Sequence, residues 1–383
     1  MVAPVLPEYG VRSLAEVLPA LLGALGLPGP AVPDRLALEP VRAAALLLVD
    51  GLGTEQLRRH AADAPFLASL PDAGPLTVGF PSSTSTSLTS LGTGLPPGAH
   101  GMLGITFRAG PDLLLDSLKW ASHGEQQPVD LLELLPPERV QPRATALERA
   151  AAAGVGVTVE SARRVRGSGL TRAALRGGRF RGVFALGDLA TEMIGALAGP
   201  GRRLCYGYHA DLDGLGHVHG PGSLPWRLQL AQVDRLAALV AERLPPDAVL
   251  VVTGDHGMVR VDRLFDADTD DDLRAGVALL GGDPRARHVY ARPDAAADVL
   301  AIWRGVLGED AWVVSGAQAV AEGWFGPLAA HAVDRVGDVV VAMRGTAALI
   351  RSVAEPNLSK LPGQHGSLSA EEQLVPLLVS RAG

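Results

Sequence analysis

Short, fully apolar runs that stop at glycine and aspartate set the rhythm of this chain. Ala43 to Val49 is apolar throughout and ends in Asp50-Gly51-Leu52-Gly53. A run that short, bounded by turn residues, fits a strand buried on both faces better than a helix. Val155 to Val159, Leu204 to His209 and Ala248 to Val252 read the same way, the last one entering Thr253-Gly254-Asp255-His256-Gly257. Helical spacing lies between them. Arg143 to Ala153 stops at Gly154, and Trp226 to Leu244 ends at Pro245-Pro246. The Ser/Thr-rich stretch from Ser82 to Thr93 opens a helix near Ser85 and runs to Gly94 and the Pro96-Pro97-Gly98 breaker. Strands alternating with helices predict an α/β fold with a doubly wound, mostly parallel central sheet and helices on both faces. His288 to Ala291 and Val339 to Met343 read as two further strands. They place a smaller cap subdomain at 262–350 over a single domain, 1–383. There is no internal repeat.

The residues at the ends of these strands carry the chemistry. Asp50, Asp213 and the pair Asp255-His256 each come just after an apolar run and precede glycine. One Asp-Gly is ordinarily a turn. Several together read differently, because ligands of open α/β sheets sit beyond the carboxyl ends of the strands. The six aspartates between Asp262 and Asp272 lack the central glycine and terminal glutamate of a calcium loop, and read as a solvated acidic loop.

Composition narrows the classes. At 383 residues and 47% hydrophobic, the chain can bury a large core and is not disordered. No stretch approaches the roughly 18 consecutive apolar residues of a membrane span. The single cysteine, Cys205, excludes a disulfide scaffold and a Cys-rich zinc module. A net charge of −7 argues against a partner such as duplex nucleic acid, although a local metal site could hold a phosphate. The first residues lack the basic start and apolar core of a secretory signal, so the expected address is cytoplasmic.

Asp213-Gly-Leu-Gly-His217 sets a carboxylate and an imidazole four residues apart. Asp255-His256 adds an adjacent pair, and His365 in Gly363-Gln-His-Gly366 adds a late imidazole. With Asp50 the set suits two divalent cations of the zinc or manganese type, zinc first; magnesium would prefer more oxygen. Two cations roughly 3.5–4 Å apart would clamp the attacking and leaving oxygens of an in-line displacement at phosphorus.

At this point the sequence resembles a known family, the type I phosphodiesterase/nucleotide pyrophosphatase branch of the alkaline phosphatase superfamily. The resemblance rests on Leu47-Leu-Val-Asp50-Gly-Leu-Gly, Phe80-Pro-Ser-Ser-Thr84 and Thr93-Gly-Leu-Pro-Pro-Gly-Ala-His100-Gly. It continues through Asp213-Gly-Leu-Gly-His217-Val-His-Gly-Pro, Thr253-Gly-Asp255-His256-Gly-Met and Gly363-Gln-His365-Gly, in the family's order. It implies an alkaline phosphatase-like fold and a phosphoester hydrolase. It also implies one metal on Asp213, His217 and His365, and another on Asp50, Asp255, His256 and the hydroxyl of Thr84. Thr84 is the implied nucleophile, counted back nine residues from Thr93. A threonine hydroxyl needs a cation to lower its pKa before it attacks well.

Ser82, Ser83, Ser85 and Thr86 are rivals by chemistry alone. Asp211 and His219 flank the metal motif as supporting or surface groups, and His100 reads as structural. One departure matters. The family's phosphate-binding Asn is missing from Gly101-Met-Leu-Gly-Ile105-Thr-Phe-Arg108, which leaves Thr106 or Arg108 to supply the contact. An arginine there would favour a dianionic monoester. The expected substrate is therefore a small phosphoester or nucleotide-like molecule, with phosphodiesterase or nucleotide pyrophosphatase ahead of phosphomonoesterase. A catalytically inactive phosphometabolite binder is the alternative from another class. Phe107, Tyr206, Trp226 and Trp324 are the candidates for stacking a base. A sulfatase is disfavoured because the nucleophile segment has no cysteine, and a phosphoglycerate mutase relative would use a serine.

Overall fold

The computed structural model describes residues 3–29, 36–124 and 127–382. Its centre is a six-stranded sheet ordered Leu377–Arg381, Ala248–Gly254, Ala43–Val49, Arg203–His209, Gly156–Ala162, Arg179–Val183. All neighbours are parallel except the edge strand Leu377–Arg381, which runs antiparallel. The strand Ala43–Val49 shows why its sequence is apolar without alternation. Ala44, Leu46 and Leu48 enter one hydrophobic cluster, while Ala43, Ala45, Leu47 and Val49 enter another on the opposite face.

Helices Val17–Ala24, Thr84–Thr93 and Ala146–Ala152 close the first face with Leu18, Leu21, Leu88, Leu91 and Leu147. Helices Leu186–Leu197 and Leu224–Ala241 close the second with Leu189, Met193, Leu230 and Val233. Each such side chain contributes about 1.5–3 kcal/mol by leaving water. The doubly wound sheet expected from the pattern is present, with element ends shifted by a few residues.

A second sheet, four-stranded and antiparallel, joins Val277–Asp283, Ala286–Ala291, Val339–Met343 and Ala311–Ser315 in that spatial order. Helix Ala296–Leu307 packs on it through Val299, Trp303 and Leu307. At its base, Arg263–Asp266 pairs with Ala347–Ile350.

Two local expectations are corrected. The stretch from Asp262 to Asp272 is a solvated loop only in part: Asp262, Asp271 and Asp272 are exposed, while the other three are engaged. Asp266 accepts from Ser352, Asp268 holds Arg351 and the amides of Val353 and Ala354, and Asp270 caps the turn Asp271–Arg274. Their carboxylates satisfy backbone amides that the apolar pattern does not register. Asp213 lies inside helix Asp211–His219, not on a glycine turn. Of the neighbouring glycines, Gly216 packs where a Cβ would stand 2.7 Å from Met258 Sδ, whereas Gly214 faces open space.

Candidate functional site

Strand register brings the acidic residues together. Val49 pairs with His209 on one side and Gly254 on the other, so the next residues, Asp50 and Asp255, emerge side by side at the carboxyl edge. Gly51 follows with φ +76°, a conformation open to glycine at little cost, and its amide donates to Asp255 Oδ1 at 3.0 Å. A Cβ on Gly51 would come within 3.0 Å of Asp213 Cα. That close approach is how the helix Asp211–His219 reaches the edge of the sheet.

Within this helix Asp213 and His217 lie one turn apart on one face, with Nε2 of His217 3.4 Å from Asp213 Oδ2. His365 arrives from the strand Gly363–Gln364, and its Nε2 is 3.9 Å from Asp213 Oδ1. Nε2 of His256 faces Asp50 Oδ1 at 3.4 Å and Asp255 Oδ2 at 3.7 Å. The His256 and His365 rings stack at 3.6 Å between centroids.

All three imidazoles are held alike. Nδ1 of His217 meets the carbonyl of Gly363 at 2.7 Å, Nδ1 of His365 that of Ser82 at 2.9 Å, and Nδ1 of His256 that of Gly257 at 3.0 Å. A carbonyl only accepts, so each Nδ1 carries the hydrogen and each Nε2 turns a lone pair inward. The carboxylates complement them. Asp50 Oδ1, Asp213 Oδ1 and Asp255 Oδ2 are buried oxygens with no hydrogen-bond partner. Burial, then the neighbouring Asp255 and Asp213, pushes the Asp50 pKa well above the usual carboxylate range. Burial raises that of Asp255 as well. His365 is pushed well below its ordinary value, first by burial and then by His256 and His217. Unpartnered oxygens and inward lone pairs make a donor set that divalent cations fit.

Two groups bring their ligand atoms within 4.8 Å of one another: Asp213, His217 and His365, and Asp50, Asp213 and His256. The first is the set the resemblance implied. In the second, Asp213 stands with Asp50 and His256, and Asp255 lies beside them.

The hydroxyl cluster is sorted by its partners. Thr84 opens helix Thr84–Thr93, is half-buried, and its Oγ1 is 3.3 Å from His256 Nε2. The rivals are buried and engaged. Ser82 donates to the Ser367 carbonyl, Ser85 to that of Gly104, and Ser83 to the hydroxyl of Thr86. Ser83 occupies the cap position yet makes no side-chain cap, so first-turn amides are free to face an anion.

Other candidates fall away from the centre. Thr106 exchanges both of its hydrogen bonds with Gly282, and the Arg108 guanidinium lies over the Tyr290 ring at 4.1 Å. The strand Thr106–Gly110 turns them to other neighbours. Phe107, Tyr206, Trp226 and Trp324 are all core residues. His100 is buried, bonds Ser90 at 2.9 Å, and is pushed down to about 3 by burial, a neutral packing group. Asp211 and His219 are exposed.

Sequence reasoning missed Tyr208, whose hydroxyl donates to Asp50 Oδ2. Its place, next to last in the strand beside the one that delivers Asp50, was the available signal.

A family model described as type I phosphodiesterase/nucleotide pyrophosphatase matches residues 44–368. A 75-residue segment is 37% identical to the catalytic subunit of human GPI ethanolamine phosphate transferase 3; it is 20% of this chain and spans 7% of that protein's length. An inactive variant of murine ectonucleotide pyrophosphatase/phosphodiesterase 5, solved in complex with AMP, superposes with a TM-score of 0.66 at 15% identity over 88% of each chain. Phosphonoacetate hydrolase from Sinorhizobium meliloti 1021, solved with phosphonoformate, gives 0.63 at 19% identity over 89% of this chain and 90% of its own. At these identities the structural likeness speaks for the fold.

Proposed function

Because the chain belongs to the type I phosphodiesterase/nucleotide pyrophosphatase family and is a phosphoester hydrolase, we propose that it cleaves small phosphodiesters or nucleotide pyrophosphates through Thr84. The observation that carries this reading is the inward convergence of three Nε2 lone pairs and unpartnered carboxylate oxygens beside one half-buried hydroxyl. Asp213, His217 and His365 would hold one divalent cation; Asp50, Asp255, His256 and the Thr84 hydroxyl would hold the other. Imidazole donors favour zinc, with manganese second. Bound there, such cations would neutralise the carboxylates, lower the hydroxyl pKa and offset charge on the attacking and leaving oxygens.

The chain's own residues do the rest. Thr84 Oγ1 attacks phosphorus after losing its proton to solvent; the Thr84–phosphorus bond forms as the bond to the leaving oxygen breaks. The uncapped amides of the first turn, at Ser85 and Thr86, face the phosphoryl oxygens. Water then breaks the Thr84–phosphorus bond and restores the hydroxyl. The Tyr208 hydroxyl fixes the Asp50 carboxylate throughout.

Arg108 would have favoured a dianionic monoester, and its stacking on Tyr290 leaves the diester reading ahead. The AMP bound by the murine relative makes nucleotides the first substrates to try. The test pairs bis(4-nitrophenyl) phosphate with the corresponding monoester. We expect the diester to turn over faster, activity to vanish with a chelator, and zinc or manganese to restore it. Equal binding of nucleotides without any turnover would instead favour an inactive phosphometabolite binder.

A further inference from the structure

A cavity of about 450 Å³ opens among strand Thr106–Gly110, the turn Pro137–Val140 and the 3-10 helix Ala330–Arg335. None of the proposed metal ligands lines it. Its wall carries Arg108, Arg139, Arg335 and His331, against one carboxylate, Asp334. The two more buried arginines meet neutral partners. Arg108 lies over the Tyr290 ring, and its Nε is buried without a hydrogen-bond partner. Arg335 gives Nη1 to the carbonyls of Gly101 and Val140, at 2.7 and 3.0 Å, and stands 5.4 Å over the ring of Phe107. Burial pulls the Arg335 pKa down to about 10, as expected of a cation losing water without gaining an anion.

We propose that this cavity is an anion site for a small phosphorylated molecule, gripped by the guanidinium groups of Arg108, Arg139 and Arg335. Planar guanidinium forks match phosphoryl oxygens, and several of them around one hollow select for more than one negative charge. The volume falls in the range of roughly 300–1,000 Å³ typical of small-molecule pockets. Asp334, exposed at the rim, is the one opposing charge. This assignment stands apart from the reaction at Thr84 and survives if that reaction is misread.

Inorganic phosphate is the probe. Calorimetric titration of the metal-loaded full chain should resolve two classes of site. Arg108→Ala with Arg139→Glu should weaken one class roughly tenfold or more, as loss of desolvated charge contacts does. Turnover of the diester should stay within about twofold, on the same principle that these side chains lie off the reacting atoms. His365→Ala should weaken the other class alone. Since Arg108 packs on Tyr290, Arg139→Glu by itself, at an exposed side chain, should shift the same class in the same direction with an unchanged melting temperature. Phosphate binding unaltered in both arginine variants, however many classes the native protein shows, or loss of turnover in the double variant would each overturn the proposal.

Discussion

Thr84 is separated from four neighbouring hydroxyls by partners, not by chemistry. Thr84→Ala should keep the parent's metal content by elemental analysis and lose nearly all turnover, because Asp50, Asp255 and His256 remain while Ser82, Ser83 and Ser85 are each committed to another partner. Thr84→Ser should keep measurable activity. Ser82→Ala, Ser83→Ala and Ser85→Ala should cost about 1 kcal/mol of stability each, the worth of a hydrogen bond, and little turnover. A dead Ser83→Ala beside an active Thr84→Ala would move the nucleophile. Tyr208 acts through Asp50. Tyr208→Phe removes that donor with little change of shape and should weaken metal binding about 10- to 100-fold, the usual cost of losing a ligand's hydrogen-bond support. Metal titration followed by activity reads it out: excess metal should restore turnover in Tyr208→Phe and leave Thr84→Ala inactive.

At the scale of elements, the helix that Thr84 opens is fixed by close contact. Gly92 faces helix Gly169–Ala174 where a Cβ would lie 1.9 Å from the Ala174 carbonyl oxygen. Gly92→Ala should therefore force the two helices apart and cost about 1–3 kcal/mol or more, seen as a lower melting temperature. The strand Gly156–Ala162 carries a different signature. Glu160 is buried there, accepts from Cys205 Sγ, and is pushed up by burial to about 7. The folded chain then holds a proton that an unfolded glutamate releases near 4.5, so this contribution to stability is full below that value. It is lost as the pH rises through about 7. Glu160→Gln should flatten the fall of stability across this interval and leave the variant more stable than the parent at higher pH. Asp283, also pushed to about 7, is common to both proteins and cancels in the difference. Denaturant midpoints measured against pH for the two proteins check the sign; identical slopes would remove Glu160 from the account.

At the scale of the whole molecule, we propose that 262–350 forms one inserted cap within the catalytic domain. The pairing of Arg263–Asp266 with Ala347–Ile350 brings its two ends together, and it has its own apolar cluster. It is also tied to the rest by buried ion pairs. Arg285 meets Glu372 at 2.7 Å and Arg287 meets Glu355 at 2.7 Å. Glu372 in addition accepts from the Ser367 amide at 3.0 Å, two residues from His365. Glu372→Ala strands a buried guanidinium and should cost about 3–5 kcal/mol. By contrast, Glu242→Ala, which breaks exposed pairs with Arg235 and Arg243, should leave the melting temperature nearly unchanged, because water and salt screen such pairs. Thermal unfolding of the two variants separates them. No helix among the described residues is long and apolar enough to cross a membrane.

The apolar runs before Asp50 and Asp255 determined the central strands, because a strand covered on both faces must be apolar at every position, whatever lies far along the chain. The spacing of Asp213 and His217 and the order of the motifs determined the family and the donor types for the same local reason. Thr106 and Arg108 were misplaced because a side chain's direction on a short strand depends on what packs against it, here Gly282 and Tyr290. Tyr208, the engaged hydroxyls around Thr84, and the carbonyls behind each imidazole belong only to the folded chain. Those contacts join residues as far apart as Ser82 and His365. Nothing in local sequence records which carbonyl a distant ring will meet. Register and packing decided it.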